Sequence, residues 1–373
     1  MSHSAHRVHG LTADEVPPDW PPLTLQELQP VLAQFAQLGH AHTILWNSPR
    51  PLSAAALIET NNGPTFVKRH SENVRSASTL TEEHVFAQWL RAQHIPTPEI
   101  LHNTAGESAI AHAGWTYEVH ALATGIDLHR DTMSWVPLHN LAHARTVGRM
   151  LAQLHLAAEG FHAAQRTTHI LVARSELLEA SAPIATLQAQ LQQRPLLAEY
   201  LAQRNWQEEL HHTLLPLPAD VRCVFAAQPR LWTHGDWHAS NLFWSDDSAQ
   251  ANITSVLDFS LSARTFALFD LATAIERSAI AWLQPDDQRA QPLIANALIE
   301  GYAQARPLSR AERELLVALL PVVHLDFAIS EVEYFYGILR SRAHADVAWD
   351  VFLRGHAAWF RTSHGQSFLR AIA

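Results

Sequence analysis

The sequence predicts an α+β protein in two lobes: a small β-rich N-lobe with one helix, then a larger, mainly helical C-lobe. Three observations carry this. Between His42 and Leu122, short β-prone runs separated by Pro, Asn and Gly surround a single helical stretch. Beyond Gly125 the apolar spacing is mostly that of helices. The 373 residues amount to about two to three typical single domains, enough for two cores. The expected divisions are an N-terminal extension and helix over 1–38, an N-lobe over 39–122 and a helical C-lobe over 123–373.

In chain order, Met1 to Pro22 are polar and proline-rich, which predicts a surface-draped extension. Thr24 and Glu27 form a capping-box pattern ahead of Leu25, Leu28, Val31, Leu32 and Phe35 at helical spacing, with Gly39 as the expected end. HTILWN, AAALIET and TFVKRH then predict three antiparallel strands, separated by Ser48-Pro49-Arg50-Pro51 and by Asn61-Asn62-Gly63-Pro64. A helix from about Thr79 to Gln93 follows, with Thr79 and Glu82 as a second capping box, Glu82 and Glu83 in its first turn, and Val85, Phe86, Trp89 and Leu90 as its apolar stripe. EILHN, SAIAHA and WTYEVHAL predict further strands, broken by Gly125. Ala144, Val147, Leu151 and Leu154 mark a helix ending near Gly160, and Leu187 to His212 is rich in helix formers. Asp270 stands where it would cap a helix whose buried face carries Leu271, Ile275 and Trp282. Two or three more helices are expected after Gln291.

Composition narrows the function. A net charge of −10 offers no basic stripe for a nucleic-acid backbone. The longest apolar run, Leu315 to Val323, is too short to span a bilayer and contains Pro321. One cysteine, Cys223, and no apolar run in MSHSAHRVHG predict a cytoplasmic protein without an intramolecular disulfide. The 25 histidines include no CxxC, no HExxH and no dense cluster of metal-site spacing, so most are read as surface or hydrogen-bonded groups. Among 26 basic residues Lys68 is the only lysine. Arginine serves solvated positions everywhere else, whereas a compact ammonium suits phosphate as a point charge.

The chemistry concentrates in LWTHGDWHASNLFWSDDSAQANITSVLD, Leu231 to Asp258. Asp236 and Asn241 stand five residues apart, and Asp258 closes the β-prone run ITSVLD seventeen residues after Asn241. Phosphoryl transfer needs such a set: one carboxylate to take a proton from an attacking hydroxyl, with a side-chain carbonyl and a second carboxylate to hold Mg²⁺ against nucleotide phosphates. Each residue alone would suit a turn or a cap.

HGDWHASNLFW, VLDFS and FDLATAIE, preceded by a strand lysine and a helix glutamate, resemble the aminoglycoside phosphotransferase and choline kinase family, from about Gly39 to the end of the chain. The resemblance implies a bilobal protein-kinase-like fold and an ATP-dependent phosphotransferase acting on a small-molecule hydroxyl acceptor. It implies Asp236 as catalytic base, Asn241 and Asp258 as Mg²⁺ ligands, Lys68 on the α- and β-phosphates, Glu83 as its helix partner, and backbone groups of His120, Ala121 and Leu122 as the adenine hinge. His234 is read as a structural hydrogen-bonding residue, and Trp237 and His238 as either scaffold or substrate contacts. The family's acceptor pocket lies toward the C-terminal helices. Asp326, Glu331, Glu333, Tyr334 and Tyr336 are therefore either a recognition surface for a cationic amine or ordinary helix residues. FDLATAIE and GYAQARPLSRAE are similar to the homoserine-kinase-like branch. One departure stands out: Asn47 to Ser53 contains no glycine where protein kinases carry a glycine-rich phosphate loop. The alternative that this loop suggests is a nucleotide-binding pseudokinase or regulatory module.

Overall fold

The computed structural model describes residues 18–130, 132, 136–214 and 217–373; most of the expected N-terminal extension lies outside them. Five strands form the N-lobe sheet: β1 (Ala41–Asn47), β2 (Ala54–Thr60), β3 (Gly63–Ser71), β4 (Ala109–His112) and β5 (Trp115–Ala121). Their order is β1-β2-β3-β5-β4, and every neighbouring pair is antiparallel. The three hairpin-linked runs read from the sequence are therefore strands. EILHN contributes only an isolated bridge between Ile100 and His120.

Helix α1 (Leu25–Leu32) starts with the expected capping box of Thr24 and Glu27. It ends well before Gly39, and Phe35 and Leu38 reach the core from the turns that follow. Its apolar face closes one side of the sheet, where Leu28, Val31 and Leu32 meet Ala56, Ile58, Val67 and Val119.

Helix α2 (Ala77–Ala92) departs from the expected start. Its N-cap is Ser76, whose side chain accepts from the Thr79 N–H. Thr79 is thus inside the helix, and Glu82 is free to turn outward, where it takes Arg166 Nε at 3.0 Å and the Thr167 hydroxyl at 2.7 Å. The buried face carries Leu80, Glu83, Phe86 and Leu90, while Val85 is exposed. Phe86 packs against Phe161, Trp232 and Phe259, so α2 is anchored to the core of the helical lobe.

That lobe is centred on helix α3 (Leu141–Ala158) crossing the Pro292–Ala305 helix. The crossing is close because glycines face it from both sides. A Cβ on Gly148 would lie 2.0 Å from the Leu298 carbonyl, and one on Gly301 would lie 2.0 Å from the Arg145 carbonyl. The stretch rich in helix formers from Leu187 to His212 lies in three helices, Pro183–Gln190, Pro195–Leu201 and Trp206–Leu214. Pro195, lacking an N–H, cannot continue the first and occupies the opening turn of the second. Two short ribbons carry the central motif: β6 (Arg230–Thr233) pairs with β9 (Ala263–Phe266), and β7 (Leu242–Trp244) pairs with β8 (Ile253–Val256).

More helices follow Gln291 than expected. The stretch Arg310–Ile338 is long and apolar enough to cross a membrane by length and composition. Its apolar window is 72% buried, the burial of a core helix.

The glycine crossing yields a stability prediction. Gly301→Ala should cost about 2–3 kcal/mol through overpacking against the rigid backbone of α3. Urea unfolding monitored by tryptophan fluorescence measures the loss.

Candidate functional site

The site is built on a buried carboxylate. Asp270 was expected to cap its helix; the Ala267–Ala279 helix has Phe266 as N-cap, and Asp270 lies inside it, fully buried. Its two oxygens accept the backbone N–H groups of His234 and Gly235, each at 2.9 Å. His155 of α3 approaches Oδ2 at 3.0 Å and is itself bonded to Tyr302 at 2.7 Å. Burial alone would raise the Asp270 carboxyl, but His155, His234 and these N–H groups hold it below its ordinary value. Gly235 is required at this turn: its φ is +78°, and a Cβ would lie 2.6 Å from the Leu261 carbonyl.

The braced loop presents the expected residues together. His234, fully buried, donates through Nε2 to the Leu257 carbonyl at 2.9 Å and accepts the Asp236 N–H through Nδ1 at 3.2 Å. It ties the Asp236 loop to the segment carrying Asp258, a structural role as read from the sequence. Trp237 is fully buried and stands edge-on to His234; it is scaffold. Asn241 donates its amide nitrogen to the Asp236 carbonyl at 2.9 Å and to Asp236 Oδ2 at 3.2 Å. Its amide oxygen takes no part in these two bonds. Asp258 sits at φ +58°, a conformation uncommon outside glycine and frequent at functional positions.

Lys68 reaches across the lobes to Asp258 Oδ1 at 2.9 Å. Burial disfavours its charge, but Asp258, Glu118 and Glu83 together raise its pKa above the ordinary lysine value. The Asp258 carboxyl is lowered in turn, with Lys68 and the Ser260 hydroxyl outweighing burial.

The expected ion pair between Lys68 and Glu83 does not form. Glu83 instead lies between two arginines, with Arg166 Nη2 at 3.0 Å and Arg75 Nε at 3.6 Å. Both guanidiniums also bind backbone carbonyls of the helical lobe, Ile170, Leu171 and Ser260 for Arg75 and Ser262 for Arg166. A planar five-donor fork can bind a carboxylate and several carbonyls at once, which an ammonium cannot. Glu83 therefore fastens α2 to the segment just after Asp258, and reaches Lys68 only through the field.

Glu118 stands directly opposite Lys68 across β3 and β5 and was missed. Its Oε1 is bound by His70 at 2.9 Å, and its Oε2 by His84 at 2.9 Å and His120 at 2.8 Å. Alternation along β3 puts Lys68 and His70 on one face, a usable signal; the contribution of His84 from α2 was not readable. At the hinge, the His120 carbonyl accepts from Thr65 Oγ1 at 2.8 Å and the Ala121 N–H donates to the Glu99 carbonyl at 2.9 Å. Two of the three expected hinge residues thus use backbone groups inside the lobe, while Leu122 is half-exposed.

Two arginines near Asp236 were also missed. Arg277 Nη1 lies 2.9 Å from Asp236 Oδ1, and His238 Nε2 lies 3.3 Å from Oδ2. With Arg277 and His238 outweighing burial, the Asp236 carboxyl is held far below the usual carboxylate range. Arg277 follows Asp270 by seven residues, two helical turns, so one helix face carries both the brace of the loop and the partner of its carboxylate. Arg50 occupies the glycine-free loop between β1 and β2. Its guanidinium donates to the Thr132 carbonyl at 3.3 Å and feels the charges of Asp127, Arg277 and Asp236.

Of the acidic and aromatic run only Tyr336, which donates to Glu199 at 2.8 Å, keeps an exposed contact. Asp326, Glu331, Glu333 and Tyr334 are buried; Glu333 pairs with Arg194 at 2.7 Å, and Tyr334 donates to Asp19 at 2.8 Å. Glu331 alone among them lines a narrow cavity of about 30 Å³ behind the Asp236 loop, with Gly235, Glu276, Arg277, His324 and His356. Burial, offset in part by Arg277, pushes its carboxyl up to about 8.

The family model described as the phosphotransferase enzyme family matches residues 52–308. Among curated proteins, the chain is 26% identical to a homoserine kinase of Bartonella henselae (strain ATCC 49882 / DSM 28221 / CCUG 30454 / Houston 1) over 207 residues, 53% of this chain and 54% of that one. A homoserine kinase of Phenylobacterium zucineum (strain HLK1) is 24% identical over 310 residues, 83% of this chain and 85% of that one. The chain spans about half the length of the first two such relatives. In fold it is similar to a microcompartment-associated aminopropanol kinase, with a TM-score of 0.58 at 15% identity over 93% of this chain and 98% of that one. An amicoumacin kinase gives a TM-score of 0.54 at 14% identity over 91% and 96%.

The Glu118 cluster carries a pH prediction. The Glu118 carboxyl is held well below its ordinary value of 4.5, with burial opposed by His120, His70 and His84. A depressed folded value means that ionised Glu118 stabilises the fold fully above the unfolded value and that this is lost as pH falls through the folded one. Glu118→Gln should be less stable than the parent by about 2 kcal/mol at pH 7, with the gap closing below pH ~4. Denaturant titrations across pH 3–7 measure it.

Proposed function

Because the chain belongs to the phosphotransferase enzyme family, we propose that it is an ATP-dependent small-molecule kinase that moves the γ-phosphoryl group to an acceptor hydroxyl. The single observation behind this reading is the convergence of Asp236, Asn241, Asp258 and Lys68 on one cleft between the lobes. The new bond runs from the acceptor oxygen to the γ-phosphorus, the bond to the β–γ bridging oxygen breaks, and the acceptor proton passes to Asp236.

The residues divide this work by charge. Lys68 neutralises the nucleotide phosphates from the β3 side, and Arg50 does so from the loop above. Asn241 and Asp258 are an all-oxygen donor pair of the kind Mg²⁺ takes, and the ion, when bound, neutralises and orients the phosphates. Asp236 is a weak base as held by Arg277, so its main contribution is alignment of the hydroxyl, with proton transfer late. That fits a loose transition state in which the nucleophile needs little activation. The backbone of the half-exposed Leu122 is left to receive the adenine, since the His120 carbonyl and the Ala121 N–H are bonded inside the lobe.

For the acceptor we favour an amino alcohol or hydroxy amino acid. The homoserine kinases among the relatives support this class. The pseudokinase reading rested on the glycine-free loop. Arg50 offers that loop a side-chain cation in place of glycine-exposed N–H groups, which favours the active reading.

Asp236→Asn should lower kcat by roughly 10²–10⁴-fold while leaving nucleotide affinity within about twofold of the parent. Coupled ADP release across amino alcohols, hydroxy amino acids, aminoglycosides and choline-like compounds is the assay. A chain that binds MgATP and turns over none of them is a regulatory module. Arg50→Ala should raise KM for ATP by roughly 10-fold or more, the loss of one charge-assisted phosphate contact; an unchanged KM would remove Arg50 from the phosphate site.

A further inference from the structure

We infer that Glu276, His324 and His356 form a binding site for one divalent transition metal ion of the zinc class, built from residues other than the Asn241 and Asp258 pair. Ligand atoms of the three residues all lie within 4.8 Å of one another. Glu276 Oε1 and His356 Nδ1 are already 3.2 Å apart. Metal–ligand distances of about 2.0–2.1 Å at tetrahedral angles put ligand atoms roughly 3.3 Å apart, so small side-chain rotations complete the set.

The three side chains arrive from separate places. Glu276 lies on the Ala267–Ala279 helix, His324 precedes the Leu325–Val332 helix, and His356 opens the His356–Trp359 helix. Two imidazoles and one carboxylate are a common donor set for zinc with an open fourth position, and far less suited to Mg²⁺. Here that position opens on the cavity. Its volume of about 30 Å³ holds a water or an ion, whereas a carbon-based acceptor would need the walls to move. Glu331, on the same cavity, adds a carboxyl group to the wall that the fourth position faces.

Neighbours fix the two rings. His356 is stacked on Trp282 at 3.5 Å between centroids with planes 3° apart. The Phe352 and Leu353 carbonyls approach the His324 ring, coming from the π-helical turn Ala348–Gly355. Such turns recur at functional sites. An ion pair of Glu276 with His356 would account for those two residues alone. It leaves His324, whose ring nitrogens are both buried and reach no hydrogen-bonding geometry among the described residues. An unpaired buried polar group is costly, and coordination removes that cost.

The test uses tag-free full-length protein, stripped with a chelator and titrated calorimetrically with Zn²⁺, then with Co²⁺ followed by visible absorption. We expect one tight zinc equivalent per chain, a zinc-dependent rise in the unfolding midpoint and the strong visible band of four-coordinate Co²⁺. Glu276→Gln, nearly isosteric, and His356→Ala should each weaken Zn²⁺ binding at least about 10-fold. Asp258→Ala should leave it unchanged. Loss of the equivalent in Asp258→Ala would assign the ion to the other pair and overturn the inference. So would a parent chain showing neither the midpoint rise nor the cobalt band, whatever the variants do. None of these readouts depends on kinase activity.

Discussion

The buried Asp270 carboxylate organises this molecule. A carboxylate with no solvent is tolerable only if its oxygens are saturated by donors, and here the donors are the His234 and Gly235 N–H groups and the His155 ring. That requirement shapes the loop ahead of Asp236, imposes a glycine at a positive φ, and fastens the loop to helices from two parts of the chain. Arg277, two turns along the same helix, then meets the Asp236 side chain. One rigid helix therefore sets both the backbone and the charge of the candidate catalytic carboxylate. A site held this way needs no reorganisation as charge moves, which is where electrostatic catalysis gains most.

The lobes are joined by charges with divided tasks. Lys68 and Asp258 span the cleft directly. Glu83 joins the same two lobes through Arg75 and Arg166, which also bind the Ser260 and Ser262 carbonyls following Asp258. Glu118, saturated by three histidines, sits opposite Lys68 and contributes to its field without touching it. The ammonium is thus kept charged by three carboxylates, only one of which it contacts.

Much of this was legible in the sequence wherever the signal was local. The Thr24–Glu27 capping box, the three hairpin strands and the α3 stripe depend on neighbours within a few residues, and all are present. Errors arose where two local solutions competed. Ser76 and Thr79 can each cap α2; Ser76 does so, and Glu82 meets Arg166 across the lobes instead of closing a capping box. A first-turn aspartate such as Asp270 reads as a cap unless one knows that a distant loop brings it two N–H donors. The acidic run from Asp326 to Tyr336 read equally as surface or interior, since amphipathic spacing does not say which helix will cover it.

The sequence by itself determined the chemistry available: the types, order and spacing of Asp236, Asn241 and Asp258, a single lysine on a strand, and an α+β division into two lobes. These are properties of adjacent residues and of short periodicities. Which charge faces which was decided by tertiary structure. Glu83 meets Arg75 and Arg166 across 8 and 83 residues, Lys68 meets Asp258 across 190, and Glu276, His324 and His356 converge from three segments with no shared motif. Burial makes those pairings selective, because a charge removed from water must find its partner wherever the packing of helices places one.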